Sequence, residues 1–160
     1  MQKTKAPLVS VIMNCFNGET YLQEAIDSVY SQTYTNWEIV FWDNLSIDSS
    51  AKIAQSYNSK LNYYASDKNT SLGEARVNAI KKAKGKYLAF LDCDDLWEND
   101  KLMVQVNLME VNDKIGFIYS RCELISANGA RLGFMPNKIK MPSLPSGEIF
   151  NDLIKKGCFI

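Results

Sequence analysis

The sequence predicts an α/β fold, a mostly parallel doubly wound sheet with helices on both faces and an antiparallel addition near the C-terminal part. Short apolar runs typical of buried strands alternate repeatedly with longer stretches that carry apolar residues at helical spacing. Further along, the Asn128-Gly129 pair lies between two strand-like stretches and indicates a hairpin. Ligands of such sheets bind beyond the carboxyl ends of the strands, so function is expected in the loops there.

The first strand and helix are predicted from their apolar patterns. Residues 8–13 form a β-rich apolar run after Pro7, which suits a buried parallel strand. A helix is expected from Glu19 onward because Leu22, Ala25, Ile26 and Val29 fall at the i, i+3, i+4 and i+7 positions of one helix face.

The remaining elements follow in the same alternation. Strands are predicted at 37–42, 61–65, 87–91 and 115–120, and helices at 49–57, 72–83 and 99–111. We expect Asp48 to be the N-cap of the second helix and Gly85 to end the third helix as its C′ residue. The proline-rich segment 136–147 is predicted to be a loop.

Composition limits the possible functions. The chain has 160 residues and is 46% hydrophobic, so we expect one domain over 1–160. Lys plus Arg and Asp plus Glu each total 18, which argues against a nucleic-acid partner. The apolar residues Phe159 and Ile160 leave a homo-oligomer as an open alternative. With no histidine and no CxxC pair among its four cysteines, a zinc site of Cys and His is excluded, and reduced thiols are expected.

An acidic cluster follows the predicted strand 87–91. Asp92, Asp94 and Asp95 repel one another when ionised, and a divalent cation would relieve that repulsion. Carboxylate ligands suit Mg²⁺ or Mn²⁺. An EF-hand is excluded because Leu96 and Trp97 stand where it needs an oxygen ligand and a glycine. A phosphatase with an Asp-x-Asp nucleophile and acid is a remote alternative.

Four motifs in one order carry a resemblance to a known family. They are the strand VSVI with the aromatic-Asn pair Phe16-Asn17, the helix with SVYSQTY, the loop DNLSID, and GEARVNAIKKAKGKYLAFLDCDD. Over residues 7–120 the chain resembles the inverting family 2 glycosyltransferases. The resemblance implies a GT-A fold and transfer of a sugar from a nucleotide-sugar donor, with UDP favoured, to an acceptor hydroxyl.

The resemblance also implies roles for individual residues. Asp43 matches the aspartate that accepts a hydrogen bond from uracil, and Ser46 is expected to brace its loop. Leu45 stands where the family usually has glycine, which puts the backbone of that loop in question. The residues expected at the nucleotide are Asn17, Glu19, Asp43, Arg76 and Asp92. Those expected at the metal of this DXD motif, Mn²⁺ or Mg²⁺, are Asp94 and Asp95.

Inverting transfer also needs a general base, which the family carries well downstream of the acidic motif. The late carboxylates Glu148 and Asp152 do not match it, and Glu148 suits the first turn of a helix. We therefore expect the base beyond Ile160, in a domain truncated on its acceptor side. The alternative function is a non-catalytic nucleotide-sugar-binding module or donor half. The implied acceptor is a glycan or lipid-linked molecule of polysaccharide biosynthesis, and the expected location is cytoplasmic or peripheral at the inner face of the membrane.

Overall fold

A computed structural model of the protein describes residues 6–135, with side chains through residue 134. Contacts divide the chain into two compact units, Met1–Val111 and Asn112–Ile160, and each is described by itself. The single domain over 1–160 stays a prediction. The loop at 136–147 and the late carboxylates Glu148 and Asp152 lie outside the described residues.

The first unit contains a four-stranded parallel sheet. Its strands are β1 (Val9–Cys15), β2 (Trp37–Asp43), β3 (Leu61–Ala65) and β4 (Tyr87–Asp92), in the order β3-β2-β1-β4. Every residue of β1 is buried, because this strand has a neighbour on each side and helices on both faces. The predicted strands at these four places are confirmed.

Helices cover both faces of this sheet. They are α1 (Leu22–Tyr30), α2 (Ser50–Gln55), α3 (Leu72–Ile80) and α4 (Lys101–Val111). The predicted stripe of α1 is buried with Val11, Met13 and Phe41, in a cluster that also holds residues of α2 and α4. On the other face, Ala79 of α3 packs against Ile12 and Val40. The doubly wound arrangement is therefore confirmed.

A buried network of hydrogen bonds stabilises the edge of the sheet where the strands begin. Ser10 Oγ donates to Glu38 Oε1 over 2.7 Å, and Lys84 N donates to the same oxygen over 2.9 Å. Gly85 N donates to Ser10 Oγ over 2.8 Å. An added Cβ on Gly85 would lie 2.5 Å from Ser10 N, so glycine is required for close approach. Gly85 is not the C′ residue predicted, since α3 ends at Ile80 and Gly85 is not among the positive-φ residues.

The described part of the second unit is an antiparallel hairpin of β5 (Cys122–Ile125) and β6 (Arg131–Met135). Gly129 has a φ of 80° in the turn, as the Asn-Gly pair predicts. The prediction of a strand at 115–120 is wrong. Its β-rich sequence has no ladder partner among the described residues, and a strand needs one. Among residues 6–135, no helix has the length and apolar character needed to cross a bilayer.

Candidate functional site

The carboxyl ends of the strands bring the predicted site residues to one edge of the sheet. Cys15 at the end of β1 is level with Asp43 at the end of β2, and Asn14 is level with Asp92 at the end of β4. The loops that follow these strands therefore begin side by side. This is the edge where a doubly wound sheet binds its ligands.

The loops after β1 and β2 are joined by hydrogen bonds in both directions. Asn17 N donates to Ser46 Oγ over 3.0 Å, and Ile47 N donates to Asn17 Oδ1 over 2.9 Å. The bracing role expected of Ser46 is confirmed. Leu45 adopts a φ of 71°, so the left-handed turn that suits glycine is kept with a leucine in place. The loop keeps this geometry, and the positive φ of a leucine strains its backbone locally.

Glu19 and Asp48 form a second connection between the same loops. Glu19 N donates to Asp48 Oδ2 over 3.0 Å, and Ser49 N donates to Glu19 Oε2 over 2.8 Å. Asp48 Oδ1 accepts from Ser50 N, the first residue of α2, over 2.9 Å. The N-cap position belongs to Ser49 and not to Asp48 as predicted, although the Asp48 carboxylate does anchor the start of the helix.

Asp43 is held from two sides. It is 4% exposed, Ser46 N donates to its Oδ1 over 2.8 Å, and the Tyr63 hydroxyl donates to its Oδ2 over 2.7 Å. Burial raises the pKa of Tyr63, and the hydrogen bond to Asp43 raises this pKa further. A carboxylate has about four lone-pair positions, so Asp43 retains acceptor capacity beyond these two bonds.

Sequence reasoning missed Tyr63 and Asn44. Asn44 is 7% exposed and its Nδ2 donates to Thr70 O over 2.8 Å, while Thr70 Oγ1 donates to Asn44 Oδ1 over 2.9 Å. The residue after Thr70 is Ser71, the N-cap of α3, whose Oγ accepts from Glu74 N. Asn44 therefore fixes the start of the helix that carries Arg76. One sequence signal could have identified Asn44. It is an asparagine directly after an apolar strand, at a position where a surface turn is expected.

Arg76 and Asp92 form an ion pair. Arg76 Nη2 lies 2.7 Å from Asp92 Oδ1, and the side chains are 37% and 46% exposed. The pair holds the Asp92 carboxylate against α3 and leaves its second oxygen without a hydrogen bond to the described residues. Arg76 keeps further donors in its guanidinium fork. Both residues are at the expected edge, and their contact with a nucleotide stays a prediction.

Asp94 and Asp95 are exposed, and neither carboxylate has a hydrogen-bond or ion-pair partner among residues 6–134. The pKa of Asp95 is raised by partial burial and then by the negative charges of Asp94 and Asp92. No group of three or more acidic, histidine or cysteine side chains within the described residues is arranged to hold a metal ion. Two open carboxylates do fit Mg²⁺ or Mn²⁺, which commonly take remaining ligands from water and substrate phosphate.

Two cysteines lie beneath these loops. Cys15 is 2% exposed, and Cys93 is half-buried between Asp92 and Asp94 in the sequence. A hydrogen bond with Cys93 lowers the pKa of Cys15 to about 7, and the same bond raises the pKa of Cys93. The sequence showed no CxxC pair, because these residues become neighbours only when β1 and β4 pair.

Comparisons with known proteins agree with this arrangement. The sequence model described as "Glycosyl transferase family 2" matches residues 10–144. An Escherichia coli protein named "UDP-Glc:alpha-D-GlcNAc-diphosphoundecaprenol beta-1,3-glucosyltransferase WfgD" is 37% identical over 134 residues, which cover 82% of this chain and 53% of that protein. The chain thus spans about half the length of this relative.

Solved structures share the fold. The crystal structure of Staphylococcus aureus TarS 1–349 superposes with a TM-score of 0.62 at 28% identity, covering 64% of this chain and 32% of that one. A mannosyltransferase from Pyrobaculum calidifontis, solved with GDP-Man and Mn²⁺, has a TM-score of 0.62 at 24% identity and covers 66% of this chain and 33% of that one. At that identity the second likeness shows the fold alone.

Proposed function

The chain belongs to glycosyl transferase family 2, and on this premise we propose that it takes part in moving a sugar from a UDP-sugar to an acceptor hydroxyl with inversion. The observation that carries the proposal is the gathering of Asp43, Asp92, Asp94 and Asp95 at the carboxyl edge of one parallel sheet. Buried and exposed carboxylates side by side suit a ligand with a hydrogen-bonding base at one end and phosphates at the other.

The proposed base-binding residue is Asp43. The bonds from Ser46 N and Tyr63 Oη fix its carboxylate, so little ordering would be needed when a base binds. A free lone pair of a fixed carboxylate suits the N–H of a uracil ring. The name of the Escherichia coli relative includes UDP-Glc, which supports a uridine donor for this chain as well.

The proposed phosphate-binding residues surround Asp92. Arg76 would meet phosphate oxygens with the donors that its ion pair with Asp92 leaves over. Asp94 and Asp95 would hold Mn²⁺ or Mg²⁺. When bound, a divalent cation neutralises charge on a diphosphate leaving group. Ionised carboxylates beside a diphosphate would otherwise repel it, so donor affinity is expected to depend on the cation.

The proposed acceptor is a hydroxyl of a glycan or of a lipid-linked sugar, in polysaccharide biosynthesis. The name of the Escherichia coli relative, with a diphosphoundecaprenol acceptor, supports this class. Inversion requires a carboxylate base opposite the departing diphosphate. We propose that this base lies outside the described residues.

Calorimetric titration of UDP tests the donor site. In Mn²⁺, the wild type should bind UDP, and Asp94→Ala should bind at least about tenfold more weakly because a metal ligand is lost. EDTA should weaken the wild type to the level of the variant. Asp113→Ala removes an exposed carboxylate from the second unit and should bind as the wild type does.

Two outcomes would contradict the proposal. Equal UDP affinity for wild type and Asp94→Ala, with and without EDTA, would remove Asp94 from the site. Binding of UDP-sugars without release of UDP, in a full-length protein given lipid-linked acceptors, would favour the alternative of a non-catalytic binding module.

A further inference from the structure

Cys15 and Cys93 occupy neighbouring positions on adjacent strands. Cys15 is the last residue of β1, and Cys93 directly follows Asp92, the last residue of β4. Asn14 and Asp92 are opposite each other in the parallel ladder, so the two cysteines come next along their strands. Adjacent strands lie about 4.8 Å apart. This spacing falls within the separation of about 4.4 to 6.8 Å between Cα atoms that a disulfide spans.

The two thiols also point into the same space. Both side chains belong to the hydrophobic cluster on the α1 side of the sheet. A Cβ added to Gly18 would lie 2.8 Å from each of the two sulfur atoms, so both sulfurs flank one small volume beneath the loop after β1. Cys93 is half-buried, whereas Cys15 is buried. The described cysteines are free thiols.

We propose that Cys15 and Cys93 are an oxidation site that forms a reversible intramolecular disulfide. The oxidant is hydrogen peroxide. The sulfur of one cysteine attacks one peroxide oxygen, which breaks the O–O bond and gives a sulfenic acid and one water. The sulfur of the other cysteine then displaces the sulfenic oxygen, which leaves as a second water when the S–S bond forms. Together the two thiols lose two protons and two electrons, and a dithiol reductant reverses the reaction.

The bond would affect the donor site, a consequence that rests on the proposed function. Cys93 is flanked by Asp92 and Asp94, so the disulfide would tie the acidic segment directly to the central strand. Gly18, whose N donates to Ser50 Oγ over 3.0 Å, packs against the same sulfurs. Disulfide formation requires both cysteine side chains to rotate. We expect this rotation to displace Gly18 and the loop after β1, which lines the site. We expect oxidation to weaken UDP binding and reduction to restore it.

Mass spectrometry of the intact protein tests the chemistry without reference to any ligand. The protein carries Cys122→Ser and Cys158→Ser, so that only the pair remains, and it is treated with hydrogen peroxide. We expect the loss of two hydrogen atoms, a Cys15–Cys93 cross-linked peptide after proteolysis without reductant, and full recovery with dithiothreitol. The matched variant with Cys93→Ser in addition should form no such peptide. Because Cys93 is only half-buried, this change should leave the fold intact, which circular dichroism verifies.

The outcomes separate this proposal from the proposed function. A monomer that gains oxygen at either cysteine without forming the cross-link would overturn the disulfide. A cross-link that forms while oxidised and reduced protein bind UDP equally would overturn its effect on the site. If neither form binds UDP while the cross-link is mapped, the donor assignment fails and the oxidation site stands.

Discussion

The two edges of the parallel sheet use carboxyl groups in opposite ways. Where the strands begin, Glu38 is 9% exposed and accepts hydrogen bonds from Ser10, Lys84 and Asn62. Where the strands end, Asp94 and Asp95 are exposed without partners among residues 6–134. A satisfied buried carboxyl stabilises the fold, whereas an open one leaves its acceptor capacity for a ligand. The difference separates carboxyl groups that stabilise the fold from carboxyl groups that remain open to a ligand.

Loss of the buried carboxyl at Glu38 is expected to have the largest effect. Glu38→Ala removes the buried acceptor of three hydrogen bonds, from Ser10, Lys84 and Asn62, and the free energy of unfolding should fall by about 3 kcal/mol. Urea unfolding measures this change. Glu24→Ala, at an exposed position of α1, is the matched control and should change stability by less than about 0.5 kcal/mol. A loss at Glu38 no larger than at Glu24 would remove the contrast between the edges.

Asp43 sharpens the comparison because it is buried at the edge where the strands end. In Asp43→Asn, the amide oxygen can keep the bond from Ser46 N, and the amide NH₂ can donate to the Tyr63 hydroxyl. Stability should therefore change little, while uridine nucleotide affinity falls by about 1 to 3 kcal/mol because the base loses its partner. Calorimetry with UDP and urea unfolding of the same preparation measure the two effects.

Tyr63→Phe is the matched variant, and its main expected effect is on stability and not on uridine nucleotide affinity. It keeps the ring that stacks on Phe41 but leaves Asp43 Oδ2 unpaired, so it should cost about 1 to 3 kcal/mol of unfolding free energy. If Asp43→Asn destabilises as much as Tyr63→Phe and binds UDP normally, Asp43 is a structural acid like Glu38.

Asp95 should give the smallest effect, and one of opposite sign. Its pKa is raised in the folded protein, so folding favours the protonated acid and the wild type loses stability as pH rises through that pKa. Asp95→Asn carries no charge and should be more stable near neutral pH by roughly 0.2 to 0.5 kcal/mol, since solvent screens this exposed group. Thermal unfolding in EDTA measures the gain, which should shrink toward the acid range. A gain independent of pH would exclude charge repulsion as its cause.

The parts of the fold that depend on local pattern could be predicted from the sequence. The stripe of α1 and the apolar runs of the four parallel strands each lie within a few residues of chain. The prediction of a strand at 115–120 was wrong because a strand forms only when it pairs with a second strand, which local sequence does not reveal. Gly85 was misread for a related reason, since its requirement comes from the close approach of Ser10.

The candidate site shows the same limit. Motif order placed Asp43, Arg76 and Asp92 at the correct edge, because the ends of parallel strands must meet there. It could not show that Tyr63 donates to Asp43, that Arg76 pairs with Asp92, or that Cys15 adjoins Cys93. Each of these contacts joins residues far apart in sequence, and only the strand order decides which of them meet.

The position of β1 between β2 and β4 has a consequence for synthesis on the ribosome. β1 is translated before both strands that flank it, and one of them, β4, is made only after β2, α2, β3 and α3. During that interval the edge of β1 that later pairs with β4 is unpaired in the nascent chain, and such edges favour association with other chains. A pause in translation before β4 has left the ribosome would prolong this exposure, whereas a pause after β4 has emerged would not.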